Sequence, residues 1–277
     1  MRLLTPNNLF VPAVLALALL AFCGDARAQT SRSIADTEHS KVELMIAGQE
    51  AGEILAGVRI RLGPGWKTYW KFPGDAGVPP SFDWTGSQNL ASAEVQWPAP
   101  KRFVSYGETI IGYEDEVIFP IKIRPRDSKE SISLSLSLFY AVCRNVCVPV
   151  QIEASASLEP GAVSKQHRKD LDHFLDRVPK EKVEGLTLNS TAFVVKGEKD
   201  FLEVSANISD PATPVDIFVE GEGAQSFGAP VLGKVDSRTT TFLLPLHGQK
   251  GHAATENELT ITMVQGDKAI ANQVYLP

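Results

Sequence analysis

The sequence predicts an all-β protein: a β-sandwich, then a connector helix, then a second β-sandwich-like domain. Three observations carry this. Short β-rich runs alternate apolar and polar residues at a period of two, Gly, Pro, Asp and Asn recur between them, and a single stretch holds a convincing helical period.

The chain opens with the layout of a secretory signal over residues 1–28. Arg2 supplies positive charge, Val11 to Phe22 form an apolar run, and Ala26-Arg27-Ala28 fits small-x-small cleavage before Gln29. The run is shorter than the roughly 20 residues of a membrane span, and no later stretch approaches that length. The expectation is a soluble, exported protein without a transmembrane span. A competing reading makes Cys23 the acylated residue of a lipoprotein, but Phe22 stands where such a signal needs a small residue. About 250 residues remain after cleavage, enough for two ordinary cores. The formal net charge is −6 with no basic block, which argues against a nucleic-acid partner.

Residues 29–40 are polar and mixed, and predict a flexible leading segment. Lys41 to Ile46 and Glu53 to Leu62 alternate as strands. The clearest strand is Ser131 to Val142: Ile132, Leu134, Leu136, Leu138 and Tyr140 share one face, and Ser131, Ser133, Ser135 and Ser137 the other. From Phe139 the second face turns apolar as well, which predicts cover near Cys143. Cys147 to Ser157 forms the next strand, and Arg144, Asn145 and Val146 fit a short hairpin turn, with Asn145 able to adopt a left-handed conformation. Ser164 to Val178 is the helix: Leu171, Phe174, Leu175 and Val178 recur at helical spacing, and Pro179 stands beyond the end. Strand patterning resumes at Phe201 to Ile208, Val215 to Glu220, Thr239 to Pro245, Leu259 to Val264 and Ala269 to Tyr275. The predicted organisation is a first β domain over 41–160, a connector helix over 161–182 and a second β domain over 183–277.

With Cys23 in the leader, Cys143 and Cys147 are the cysteine pair of the exported protein. Opposed residues of a hairpin have Cβ atoms roughly 4.5 to 5.5 Å apart, close to what a disulfide needs. An extended segment of this length would exceed the limit of about 7 Å between Cα atoms. Three readings of the pair stand. As a staple it closes a tiny loop, which stabilises by roughly 2 kcal/mol in the chain-entropy estimate, and a domain of this size does not need it. As an exchange site it is what thiol–disulfide chemistry requires: one thiolate to attack a partner and a neighbour to resolve the mixed disulfide. Arg144 lies between the two and is placed to favour a thiolate. As a metal site it lacks support, because the five histidines do not cluster and no methionine-rich tract exists. No other catalytic motif competes, and neither a cofactor nor a metal is expected.

Several strings in order then become informative: Gly65-Trp-Lys-Thr-Tyr-Trp70, Pro73-Gly-Asp-Ala-Gly77, Trp97-Pro-Ala-Pro100, Gly112-Tyr-Glu114 and Tyr140-Ala-Val-Cys-Arg-Asn-Val-Cys-Val-Pro149. Over about Val42 to Leu158 the chain resembles the periplasmic N-terminal domain of the bacterial disulfide reductase DsbD, nearest to its copper-sensitivity-suppressor branch, ScsB. The resemblance implies an immunoglobulin-like β-sandwich in the periplasm. It implies Cys147 as attacking thiol, Cys143 as resolving thiol, Phe103 or Tyr106 as an aromatic shield, and Tyr69 as a lining residue. Apart from the resemblance, Trp66, Tyr69, Trp70 and Trp97 read as core or sheet-face residues of a sandwich.

The expected function is thiol–disulfide interchange, passing electrons between a membrane thiol reductase as donor and periplasmic thioredoxin-like or disulfide isomerase proteins as acceptors. The sequence holds neither a multi-span membrane module nor a terminal thioredoxin domain with its own Cys-x-x-Cys, so a separate donor is expected. The alternative is a non-catalytic binding module in copper tolerance or envelope assembly, with a structural disulfide.

Overall fold

The computed structural model describes residues 33–74, 77–105, 107–221, 226–236, 239–247 and 257–276. The segment 1–28 expected to be a leader, with Cys23, and the shield candidate Tyr106 lie outside these described residues.

The first unit is built from β1 (Ser33–Asp36), β2 (Ser40–Glu50), β3 (Glu53–Leu62), β4 (Lys67–Gly74), β5 (Ser81–Asp83), β6 (Leu90–Val95), β7 (Lys101–Ser105), β8 (Glu108–Glu114), β9 (Glu116–Pro125), β10 (Ile132–Cys143) and β11 (Cys147–Leu158). One sheet has the order β1-β2-β3-β9-β6, and the other β11-β10-β4-β8-β7 with β5 on β10. Their inner faces share one core. The apolar face of β10 supplies Ile132, Leu134, Leu136, Leu138 and Tyr140, each at most 1% exposed, while Val58, Ile60, Phe119 and Ile121 answer from β3 and β9. A fully buried side chain of this kind contributes about 1.5–3 kcal/mol relative to exposure. Tyr140 keeps its hydroxyl satisfied in that core by a 2.7 Å hydrogen bond with Ser40 Oγ.

Part of the segment expected to be loose, 29–40, is structured. Ser33–Asp36 pairs antiparallel with β2, from Ser33 opposite Leu44 to Asp36 opposite Lys41. Pairing at a sheet edge is made by backbone groups and needs no apolar alternation in the strand that joins, so a polar segment forms a strand here.

Helix α1 (Lys165–Leu175) begins as predicted, with Ser164 as N-cap accepting from the His167 N–H. It stops before Val178. The N–H groups of Arg177 and Val178 bond to the carbonyls three residues back, and Pro179 disfavours a helical Val178. The helix is more than a connector: Leu171 and Phe174 are buried in the core of the first sandwich, against β2, β3 and β9. Gly57 makes room, because a Cβ there would collide with the Leu171 side chain. Beside this contact Arg59 is 8% exposed and bonds to Glu43 Oε2 at 3.2 Å and to Asp170 of the helix at 2.5 Å.

The second unit comprises β12 (Thr187–Lys196), β13 (Lys199–Asn207), β14 (Val215–Gly221), β15 (Ser226–Phe227), β16 (Val231–Asp236), β17 (Thr239–His247), β18 (Asn257–Gln265) and β19 (Lys268–Leu276). Its sheets have the orders β12-β13-β17-β15, with β16 on β17, and β14-β18-β19. Leu202, Val204, Ile217, Phe242, Leu244, Ile261 and Met263 form its separate core.

Leu171→Ala should lower stability by about 2–4 kcal/mol in chemical denaturation, and the exposed Lys169→Ala by less than about 0.5 kcal/mol. Burial alone would raise the Asp170 carboxyl, but its bonds to Arg59 and Gln166 hold it below the ordinary carboxylate range. A depressed folded value contributes stability that is present above the unfolded pKa of about 3.9 and lost as pH falls through the folded one. Asp170→Asn should therefore remove part of the stability lost on acidification below about pH 4, read from denaturation midpoints across pH.

Candidate functional site

The hairpin of β10 and β11 places the two cysteines. It pairs without a register shift from Ile132 opposite Leu158 to Cys143 opposite Cys147, so the turn is Arg144, Asn145 and Val146. Cys143 and Cys147 form a disulfide with Cα atoms 4.2 Å apart. The Arg144 N–H donates to the Val146 carbonyl at 3.2 Å across the turn. Asn145 has no positive φ, so the left-handed conformation it is suited to is not needed.

The two sulfurs sit in unequal surroundings. Cys143 is 4% exposed, whereas Cys147 at the start of the edge strand β11 is exposed. The cover over Cys143 begins at Ala141 and not at Phe139, which remains 36% exposed. Tyr69, Ile110 and Ala141 form a small buried cluster with Cys143, and Phe103 packs against it.

Tyr69 comes from β4, which pairs with the end of β10 through Val142 opposite Thr68 and Cys143 opposite Lys67. Thr68 Oγ1 donates to the Ala141 carbonyl at 2.9 Å and fixes that junction. The Tyr69 hydroxyl then lies 2.8 Å from Cys143 Sγ and 3.1 Å from Cys147 Sγ. Burial pushes this hydroxyl above its ordinary range, and the Glu108 carboxylate adds to the effect. It is therefore protonated at neutral pH, and since the sulfurs of a disulfide carry no hydrogen, it is the donor, its single hydrogen shared between the two. Two glycines allow the ring to sit there. Gly112 is opposite Tyr69 in β8, where a side chain would run into the Thr68 backbone, and Gly77 lies against the Tyr69 ring itself.

Phe103 comes from β7, next to β8, and the Lys67 ammonium stands 5.1 Å from its ring centroid. Arg144 is exposed, and its side chain folds over Gly65, where a Cβ would meet Nε at 3.3 Å. The structure thus brings Cys143, Cys147, Tyr69 and Phe103 together and places Arg144 at the rim. Trp70 and Trp97 are packed in the first core, and Trp66 stacks on His39 at 3.9 Å. Sequence reasoning did not single out Thr68, Ile110, Ala141 or Lys67; their signal was proximity to Tyr69 and Cys143 along the chain or across β8. Among the described residues no group of three or more His, Cys, Asp or Glu is arranged to hold a metal, and no helix is long and apolar enough to cross a membrane.

Chemically the arrangement offers the sulfur of an exposed cysteine for attack, the sulfur of a buried cysteine to leave, and a neutral O–H donor beside both. A thiolate that forms on either sulfur gains a charge-assisted hydrogen bond from Tyr69.

Residues 35–158 match the family model described as Thiol:disulfide interchange protein DsbD, N-terminal. No curated protein matches the chain. The fold is similar to the crystal structure of the N-terminal periplasmic domain of ScsB from Proteus mirabilis, with a TM-score of 0.69 and 23% identity over 88% of this chain and 96% of that one. Coverage of this extent takes in both β units, and the architecture is all-β and immunoglobulin-like.

Tyr69→Phe keeps the ring and removes the donor. Losing a hydrogen bond of about 1–1.5 kcal/mol to the departing thiolate should slow reduction of the disulfide by dithiothreitol about five- to tenfold in stopped-flow measurements. An unchanged rate would exclude the hydroxyl from the exchange step.

Proposed function

With residues 35–158 forming a DsbD N-terminal-like domain, we propose that the chain is a periplasmic thiol–disulfide interchange protein that carries electrons from a membrane thiol reductase to thioredoxin-like or disulfide isomerase acceptors. The observation that carries the reading is the asymmetry of the pair: Cys147 exposed, Cys143 buried, and the Tyr69 hydroxyl within 3.1 Å of both sulfurs.

The exchange runs in two halves. A donor thiolate attacks Cys147 Sγ, the bond to Cys143 breaks, and Cys143 leaves as a thiolate facing the Tyr69 hydroxyl. A second donor thiol then displaces Cys147, so the donor is oxidised to a disulfide and the pair carries two electrons. In the second half the Cys147 thiolate attacks an acceptor disulfide and expels one acceptor thiolate. Cys143 next attacks Cys147, expels the other, and restores the internal disulfide. Phe103 shields the pair between partners, as an apolar lid on the Tyr69 and Cys143 cluster. Export to the periplasm suits this chemistry, since a disulfide persists in an oxidising compartment.

Cys143→Ser leaves Cys147 without its resolving partner. Expression of that variant in the periplasm should accumulate dithiothreitol-sensitive adducts on nonreducing gels, and the double variant Cys143→Ser, Cys147→Ser should accumulate none. Failure to form any adduct, with the wild-type pair fully oxidised in cells, would overturn the reading.

A further inference from the structure

The second β unit carries three side chains that reach the back of the redox site. In β14, Asp216, Phe218 and Glu220 alternate with residues of that unit's core such as Ile217, so they share the outward face. All three engage the first sandwich. Arg102 of β7 bonds through Nε to both Asp216 oxygens at 3.1 Å, and its Nη2 donates to the Ile217 carbonyl at 2.9 Å. Phe218 is 1% exposed, meets the Trp70 ring edge-on at 5.7 Å, and lies 4.9 Å from the Arg102 guanidinium. Lys71 Nζ bonds to Glu220 at 2.7 Å.

The partners chosen on the first sandwich are informative. Arg102 precedes Phe103, and Trp70 follows Tyr69. In each pair one residue packs on the Cys143 cluster and its neighbour is held by β14. Both strands that bring an aromatic ring to the sulfurs are thereby held through the adjacent residue. The hold is directional as well. β14 is an edge strand of its sheet, and the Ile217 carbonyl that would otherwise face outward takes the Arg102 donor, while the Ile217 N–H donates to Asp216 at 2.8 Å. Arg102 is only 10% exposed, so loss of its carboxylate leaves an unpaired buried charge and β7 must move to rehydrate it.

We propose that Asp216 and Phe218 of the second unit are positioning residues for the disulfide: Asp216 holds Arg102 so that Phe103 stays closed over Cys143, and Phe218 holds Trp70 so that the Tyr69 hydroxyl stays on the two sulfurs. This rests on the reading of Phe103 as the shield, and it assigns the second unit a part in controlling access to the site.

The test uses the full chain and dithiothreitol, so it needs no protein partner and stands apart from the adduct experiment above. Second-order reduction rates are measured for Asp216→Asn and Phe218→Ala, each with Phe103 intact and with Phe103→Ala, and for the charge-conserving Asp216→Glu. Asp216→Asn should speed reduction about threefold to tenfold by populating an open β7, whereas Phe218→Ala, which loosens Trp70 and the Tyr69 donor beside it, should slow reduction about threefold to tenfold. In the Phe103→Ala background Asp216→Asn should add less than about 1.5-fold, because the shield it positions is already gone, while Phe218→Ala should keep its slowing. Asp216→Glu should retain the parent rate. Rates equal to the parent in both single variants would overturn the proposal. So would the same acceleration by Asp216→Asn with and without Phe103, the mark of general loosening, acceleration by Phe218→Ala, or no acceleration in Phe103→Ala itself.

Discussion

Cys143 and Cys147 meet because β10 and β11 are locked in one register along their whole length, and that lock is set far from the sulfurs. Five alternate residues of β10, from Ile132 to Tyr140, are sunk in the core between the two sheets. A slip of one residue would turn all five to solvent and bring the serines inward. The cost of that slip is many times larger than any strain in the turn, so the hairpin closes where the core dictates. Cys143 is then buried as the last residue of the core strand, and Cys147 is exposed as the first residue of an edge strand. The inequality of the two sulfurs follows from the sandwich itself.

That inequality is also what makes a five-residue loop useful. As a staple it constrains little chain, worth roughly 2 kcal/mol in the entropic estimate, beside a core with dozens of buried apolar groups. As a reaction centre it presents one sulfur to a partner and keeps the other next to a buried hydroxyl. Tyr69 reaches both because β4 is pinned to β10 by paired backbone and by the Thr68 bond to Ala141. The same strand carries Trp70 into the core on its other side.

What the sequence made legible follows from range. The β10 face, the hairpin, the cysteine pairing and the start of the helix were readable because each is written in neighbours a few residues apart: the serine alternation, the short turn, Ser164 ahead of a helical period. Strand β1 was missed since backbone pairing at an edge leaves no side-chain pattern. The end of the helix was overextended because Val178 fits the apolar period, while Pro179 denies it a helical backbone. The hold of β14 on β7 was hidden for a different reason. Asp216 and Glu220 look like solvated strand residues, and only the arrival of Arg102 and Lys71 from more than 100 positions away along the chain half-buries the first and buries the second.

Under the proposed function, this disulfide exists to be exchanged. Its equilibrium reduction potential, measured against glutathione or dithiothreitol buffers, tests that most directly. An exchange centre should titrate in the range of known oxidoreductases, between about −270 and −120 mV, whereas a value well below about −300 mV, typical of structural disulfides, would contradict the account.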